Sequence, residues 1–147
     1  MGTVRASASK PIHAAPEQVL AFLRDYRGAR PKILTDNYTA YRVERGGEGA
    51  GTVLAYHFAA GGRERDYRLD VQESNGTLYE RDQLSSFVAT WSVAPGADGS
   101  VVTIEATWDG ASGIGGFFEG LFAPLGLRRI FGEMLDRLAA AVQRRPQ

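Results

Sequence analysis

The sequence predicts an α+β domain in which a sheet of about seven antiparallel strands wraps around one long C-terminal helix. Three observations point there. From Leu127 the apolar residues recur as Leu127, Phe131, Met134, Leu138 and Ala141, with Ile130, Leu135 and Val142 alongside. Alternating spacings of four and three give the stripe of an amphipathic helix. Between Tyr38 and Asp109 the chain instead breaks into short stretches separated by Gly46-Gly47, Gly61-Gly62, Asn75-Gly76, Ser85-Ser86 and Gly96 through Gly99. Those are hairpin signals. A helix with so wide an apolar face needs a large surface to cover it, and only a sheet built from these strands offers one.

The elements follow in order. Val4 to Lys10 alternates small apolar and polar residues and reads as a strand. Pro16 opens a short helix carrying Val19, Phe22 and Leu23 on one face, proline being suited to a first helical turn. A second helical turn is expected at Arg30–Leu34. Strands are expected at Tyr38–Glu44, Thr52–Ala59, Arg63–Glu73, Thr77–Leu84, Phe87–Ala94 and Val101–Asp109. Ile114, Phe117, Phe118, Leu121, Phe122 and Leu125 lead into the final helix. Pro124 and Gly126 predict a break between Gly120 and Leu127, and the Phe-rich segment before it reads either as a plug for one end of the sheet or as a hinged lid.

The short turns set a register. A two-residue Gly61-Gly62 loop puts Tyr56 opposite Tyr67 and Leu54 opposite Leu69 on one face. His57 then meets Asp66, and Ala55 meets Arg68, on the other. A last hairpin with Val93 opposite Val102 sets Trp91 against Ile104, Ala89 against Ala106 and Phe87 against Trp108. One side of the sheet is wet and the other belongs to the helix. The Asn75-Gly76 turn aligns Leu69 with Asp82 and Val71 with Glu80. Continued through Ser85-Ser86, it sets Glu80 against Trp91 and Asp82 against Ala89. Two carboxylates therefore fall on the apolar side.

Composition bounds the function. The 147 residues carry 17 basic and 17 acidic side chains, for a net charge of zero, and no cysteine. A single domain spanning residues 1–147 is expected. Disulfides, thiolate chemistry and zinc–sulfur sites are excluded, and no basic patch marks a nucleic-acid partner. No apolar stretch approaches a membrane span and no secretory signal is evident, so a cytoplasmic location is expected. Lysine is confined to Lys10 and Lys32 while arginine is abundant, the codon bias of a GC-rich bacterial genome. No metal or cofactor is expected: His57 and His13 lack further ligands at useful spacing. Gly110-Ala-Ser-Gly-Ile114 misses the nucleophile elbow at its last position. Gly47-Glu-Gly-Ala-Gly51 and Gly113-Ile-Gly-Gly116 do not fit a phosphate loop.

Glu80 and Asp82 are the sharpest chemical candidates. Buried carboxylates are rarely left unpaired, and desolvation favours their neutral, proton-donating form. The competing readings turn them outward through a bulge, or keep them inward as structural partners of Arg63, Arg65 or Arg128. Tyr56, Tyr67, Trp91 and Trp108 line the same face. Small residues at Ala6, Ala8, Ala89 and Ala106 leave volume opposite the helix, with Phe118 and Phe122 over it. Such a cavity would hold a mostly apolar molecule and orient its polar group with tyrosine hydroxyls.

Ile12-x-Ala14-x-Pro16-Glu17-x-Val19-x-x-Phe22-Leu23-x-Asp25 resembles the opening of the SRPBCC (START-related, polyketide cyclase/dehydrase-like) proteins. Gly49-x-Gly51-Thr52, Trp91-x-Val93-x-Pro95, Gly99-Ser100-x-Val102 and the closing helix continue the resemblance over the whole chain. One departure is Ile33, where many members carry tryptophan. The resemblance implies a helix-grip fold enclosing a pocket for a small hydrophobic or aromatic, lipid- or polyketide-like ligand. Members with this fold include carriers, cyclases and receptors. Two further functions therefore stand beside simple binding. One is a polyketide cyclase or dehydratase using Glu80 or Asp82 with Tyr56 or Tyr67, and the other a protein-interaction module using Phe117–Leu125.

Overall fold

The computed structural model describes residues 3–109 and 123–143. Seven strands form one sheet: β1 (Thr3–Ile12), β2 (Tyr38–Arg45), β3 (Val53–Ala60), β4 (Arg63–Ser74), β5 (Thr77–Asp82), β6 (Val88–Gly96) and β7 (Gly99–Asp109). Their spatial order is β1-β7-β6-β5-β4-β3-β2, and every neighbouring pair is antiparallel. Consecutive hairpins build β2 through β7, and β1 closes on β7 from the other end of the chain. Between β1 and β2 lie helix α1 (Pro16–Leu23) and a 3₁₀ turn, Arg30–Ile33. The long helix α2 (Ala123–Gln143) completes a helix-grip fold.

Two-residue turns set the registers that the sequence implies. Gly61 and Gly62 have φ of 60° and 80°, and Asn75 and Gly76 have 50° and 80°. Both central residues of each turn are left-handed, the type I′ geometry whose twist matches a hairpin. Tyr56 faces Tyr67, Leu54 faces Leu69 and His57 faces Asp66. Leu69 aligns with Asp82 and Val71 with Glu80. The connection between β5 and β6 differs from expectation. Leu78, not Glu80, pairs with Trp91, and Glu80 pairs with Ala89. The turn is longer than Ser85-Ser86, because the Asp82 amide bonds Phe87 O at 2.9 Å and Gln83 N–H turns back to Arg68 O at 2.8 Å. The slip is two residues, so both carboxylates stay on the inner face. Ala40, with φ of 55°, marks a bulge where the β2–β3 register shifts between Thr39 and Arg42. Bulges of this kind bend a sheet.

Helix α2 buries Leu127, Phe131, Met134, Leu135, Leu138, Ala139 and Val142 against the inner face. Leu125 points outward instead. Among the described residues, Pro124 falls in the first turn of α2, where a missing amide hydrogen costs little. Gly126 is helical too, so the described part of the expected break, 123–127, is continuous helix. Residues 120–122 of the expected break, and the expected plug or lid of Phe117, Phe118, Leu121 and Phe122, lie outside the described residues. No described helix is long and apolar enough to cross a membrane.

Ala6, Ala106 and Ala89 form one row across β1, β7 and β6, and the row continues into Glu80 and Val71. Ala6 and Ala106 are fully buried. Helix α2 comes close to β1, so at this end the small side chains admit the helix rather than leave space. Substituting Ala106→Leu is expected to overpack the row and cost about 1–3 kcal/mol. Urea unfolding measures it, and an unchanged midpoint would show hidden room beneath the helix.

Candidate functional site

Within this apolar shell lies a charged pair. Glu80 and Arg30 are 3 % and 4 % exposed, and Arg30 Nη1 donates to Glu80 Oε2 at 2.9 Å. The same Nη1 donates to Leu23 O at 3.1 Å, and the Tyr26 hydroxyl donates to Glu80 Oε2 at 2.6 Å. The Arg30 guanidinium lies between two rings, 4.7 Å from the centroid of Tyr26 and 4.5 Å from that of Trp91. Both bonds to Glu80 fall on Oε2, and Oε1 takes none from a described residue. Burial, the largest single influence, would lower the Arg30 pKa, but Glu80 together with Tyr26 and Tyr41 outweighs it and the pKa is driven up. Burial first, then the same carboxylate, raises the Tyr26 pKa, so its proton stays in place.

The glycine-rich connection between β2 and β3 holds this pair in place. Tyr26 N–H bonds Gly47 O at 2.9 Å, Gly49 N–H bonds Arg24 O at 2.9 Å, and Gly51 N–H bonds Val71 O at 3.0 Å. A Cβ on Gly49, whose φ is 59°, would stand 2.7 Å from Glu73 Oε1 and 2.8 Å from Arg24 Nη2. Only glycine allows both the turn and the close approach. The Tyr41 hydroxyl donates to Tyr26 O at 2.6 Å. The segment carrying Tyr26 and Arg30 is thus stitched to the sheet from two sides.

Asp82 points inward with a different set of partners. Its Oδ2 accepts from Ser85 Oγ at 2.6 Å and Arg65 Nη2 at 3.1 Å, and Oδ1 accepts from Arg68 N–H at 3.1 Å. Those donors tie down the β5–β6 turn. The Arg65 partnership is one the sequence had offered; Arg30 was not among the arginines it suggested for Glu80. His57, on the wet face, sits between Asp66 and Glu64 at 2.7 Å each, and the bond to Asp66 raises its pKa most.

Two cavities lie between α2 and the sheet. The larger, about 30 Å³, has Arg30, Glu80, Tyr38, Tyr56, Trp91 and Met134 on its wall, together with Ala89. The smaller, about 10 Å³, is bounded by Tyr67, Phe58 and Leu127 and shares Tyr38, Tyr56, Phe87 and Phe131 with the first. Of the residues expected around a pocket, Tyr56, Glu80, Ala89 and Trp91 meet at the larger cavity and Tyr67 at the smaller. Ala106, Trp108 and Asp82 are not on either wall, and Phe87 stacks between them and Trp108 at 6.5 Å. Arg30, Tyr38 and Tyr41 were missed by sequence reasoning. A lone arginine beside a proline in a short helical turn carries no periodic signal.

The chain belongs to the family described as polyketide cyclase / dehydrase and lipid transport, which it matches over residues 3–143. Among solved structures, the KanY protein (ms6282), determined by NMR, is 46% identical with a TM-score of 0.88, over 98% of this chain and 100% of that one. Major latex-like protein 151 from Panax ginseng shares the fold at 13% identity and TM-score 0.73, over 97% of this chain and 99% of that one. The di-domain ARO/CYC BexL from the BE-7585A biosynthetic pathway gives 15% identity and TM-score 0.72, covering 98% of this chain and 51% of that one. No curated protein matches the sequence.

Two predictions follow from the buried pair and its tyrosines. Arg30→Met should leave the Glu80 charge uncompensated and cost about 3–5 kcal/mol. The double change Arg30→Met with Glu80→Met should recover much of that loss. A denaturation cycle reads both, and additive costs would mean that the two groups are not energetically paired.

Burial raises the pKa of Tyr26, Tyr38, Tyr56 and Tyr67, and pushes Tyr41 up to about 12. In the unfolded chain these hydroxyls ionise near the ordinary tyrosine value of 10.0. A raised folded pKa means that the stability is fully present below pH ~10 and falls as pH rises above it. Absorbance at 295 nm should therefore show these tyrosines silent at pH 10 and ionising together with unfolding at higher pH. Ionisation before loss of structure would contradict their burial.

Proposed function

We propose that this protein binds a small, uncharged, largely aromatic molecule between α2 and the sheet, with a hydroxyl or enol oxygen of the ligand at Arg30 and Glu80. One observation carries the reading. A polar pair is buried on the wall of a cavity otherwise lined by aromatic and aliphatic side chains, and Arg30 Nε there has no hydrogen-bond partner among the described residues. Native interiors seldom leave such a donor unpaired. A ligand hydroxyl could accept from Nε and donate to Glu80 Oε1. The pair already cancels its own charge, so an anionic ligand would meet Glu80 without a free cation to balance it.

The family description and the fold shared with the ginseng protein and the ARO/CYC protein support a small-molecule role. The reading keeps the cytoplasmic location expected from the sequence. A space of about 30 Å³ accommodates one water, so a ligand must displace side chains. Met134, unbranched and adaptable, is the wall residue suited to move. Cyclase or dehydratase chemistry is the second reading, favoured by the open Oε1 of Glu80, which could exchange a proton with a ligand enol. In that case Glu80→Gln should lower turnover far more than it weakens binding.

The neutral fluorophore N-phenyl-1-naphthylamine should bind the folded protein one to one. Ala89→Val, which adds bulk to the cavity wall, should weaken binding at least about tenfold with little change in thermal midpoint. No stoichiometric binding, or equal binding by the variant, would overturn the proposal.

A further inference from the structure

The two cavities share Tyr38, Tyr56, Phe87 and Phe131, and each has one buried polar atom with no partner among the described residues. In the larger it is Arg30 Nε; in the smaller it is the Tyr67 hydroxyl. Tyr67 is only 3 % exposed. Buried tyrosine hydroxyls ordinarily find a hydrogen-bond partner. Its ring is held on three sides, by Tyr56 at 5.5 Å, Phe87 at 4.9 Å and the Arg65 guanidinium at 5.2 Å. Arg65 Nη2 is joined to Asp82, while Arg65 Nε, like the Tyr67 hydroxyl, has no hydrogen-bond partner among the described residues. The hydroxyl is a built feature of an apolar wall and bonds no described residue.

We infer that the two cavities are lobes of one site, and that its ligand is a flat, neutral aromatic molecule with an oxygen at each end, one for Arg30 and Glu80 and one for the Tyr67 hydroxyl. This rests on the function proposed above and adds the second anchor. The register sets the separation. Glu80 pairs with Val71, and Tyr67 stands four residues before Val71 on β4, roughly 13 Å along the strand. That is a distance between backbone positions, and a frame of two fused rings with an oxygen and a hydrogen bond of about 2.8 Å at each end is of the same order of length. The shared wall suits such a frame. Tyr38 meets Tyr56 and Phe58 edge-on, each at 5.0 Å, so these rings must part for a ring system to enter and pack its faces against them. A single oxygen would leave one end unsatisfied, whereas an oxygen at each end meets both polar atoms at once.

The test compares naphthalene, 2-naphthol and 2,6-dihydroxynaphthalene by fluorescence titration against the full chain and its Tyr67→Phe variant. The diol is expected to bind about three- to tenfold tighter than 2-naphthol, the gain of one neutral hydrogen bond. Tyr67→Phe should remove that gain while leaving 2-naphthol within about twofold of its original affinity. Far-UV circular dichroism and the thermal midpoint of the variant should stay near those of the parent, since the ring remains. If 2-naphthol binds but the diol binds no tighter, the two-ended site is overturned and the single-anchor function stands. Equal weakening of all three compounds by Tyr67→Phe would assign the residue a packing role and also overturn it. If none of the three binds, the proposed function itself fails.

Discussion

An arginine and a glutamate buried against each other inside an aromatic core impose the strongest constraint on this molecule. Removing two such charges from water costs several kcal/mol each, and only close pairing with additional hydrogen bonds offsets that cost. The surroundings of Arg30 and Glu80 supply what is required. Leu23 O and Oε2 of Glu80 take up Nη1, Tyr26 donates to the same carboxylate, and the rings of Tyr26 and Trp91 flank the guanidinium. None of these partners is local to Glu80 on β5. The segment between α1 and the 3₁₀ turn has to be brought over the sheet and kept there. The glycine-rich β2–β3 connection does this through backbone bonds to Tyr26 and Arg24.

That arrangement explains why a small cavity persists beside the pair. A guanidinium and a carboxylate cannot be packed as closely as aliphatic side chains without stranding polar atoms, and Arg30 Nε has no partner among the described residues. Around it, large aromatic rings meet small Ala89, a combination that leaves gaps because rings have few rotamers with which to fill them. The opposite end of the sheet resolves the same problem differently. There Ala6 and Ala106 are fully buried and let α2 approach β1. Among the described residues the larger cavity is walled by β2, β3, β5, β6 and β7, and the smaller one reaches Tyr67 on β4.

The fold is shared with proteins at 13% and 15% identity, which separates what the architecture needs from what the site needs. A curved sheet, its turns and an amphipathic helix can be specified by many sequences, because burial responds to periodicity more than to identity. The polar pair has no such latitude. Replacing either partner alone would leave a buried charge, and a change at Gly49 would push on Arg24 and Glu73.

What the sequence determined by itself was local and periodic. Two-residue turns with left-handed centres fix strand register, and register decides which side of the sheet each residue faces, so the inward aim of Glu80, Asp82, Tyr56 and Tyr67 was legible before any contact was known. The stripe of α2 was legible for the same reason. Where a turn ran longer than its sequence suggested, at residues 83–87, the pairing slipped by two, and only the parity survived. Tertiary structure alone decided the partners. Arg30 is fifty positions from Glu80 and sits in a segment without repeating pattern, so nothing in the chain near either residue announces the other. The free volume was likewise decided only on folding. Alanines at equivalent inner positions either admit the helix or border a cavity, depending on where the helix axis crosses the sheet, a quantity set by the whole core at once.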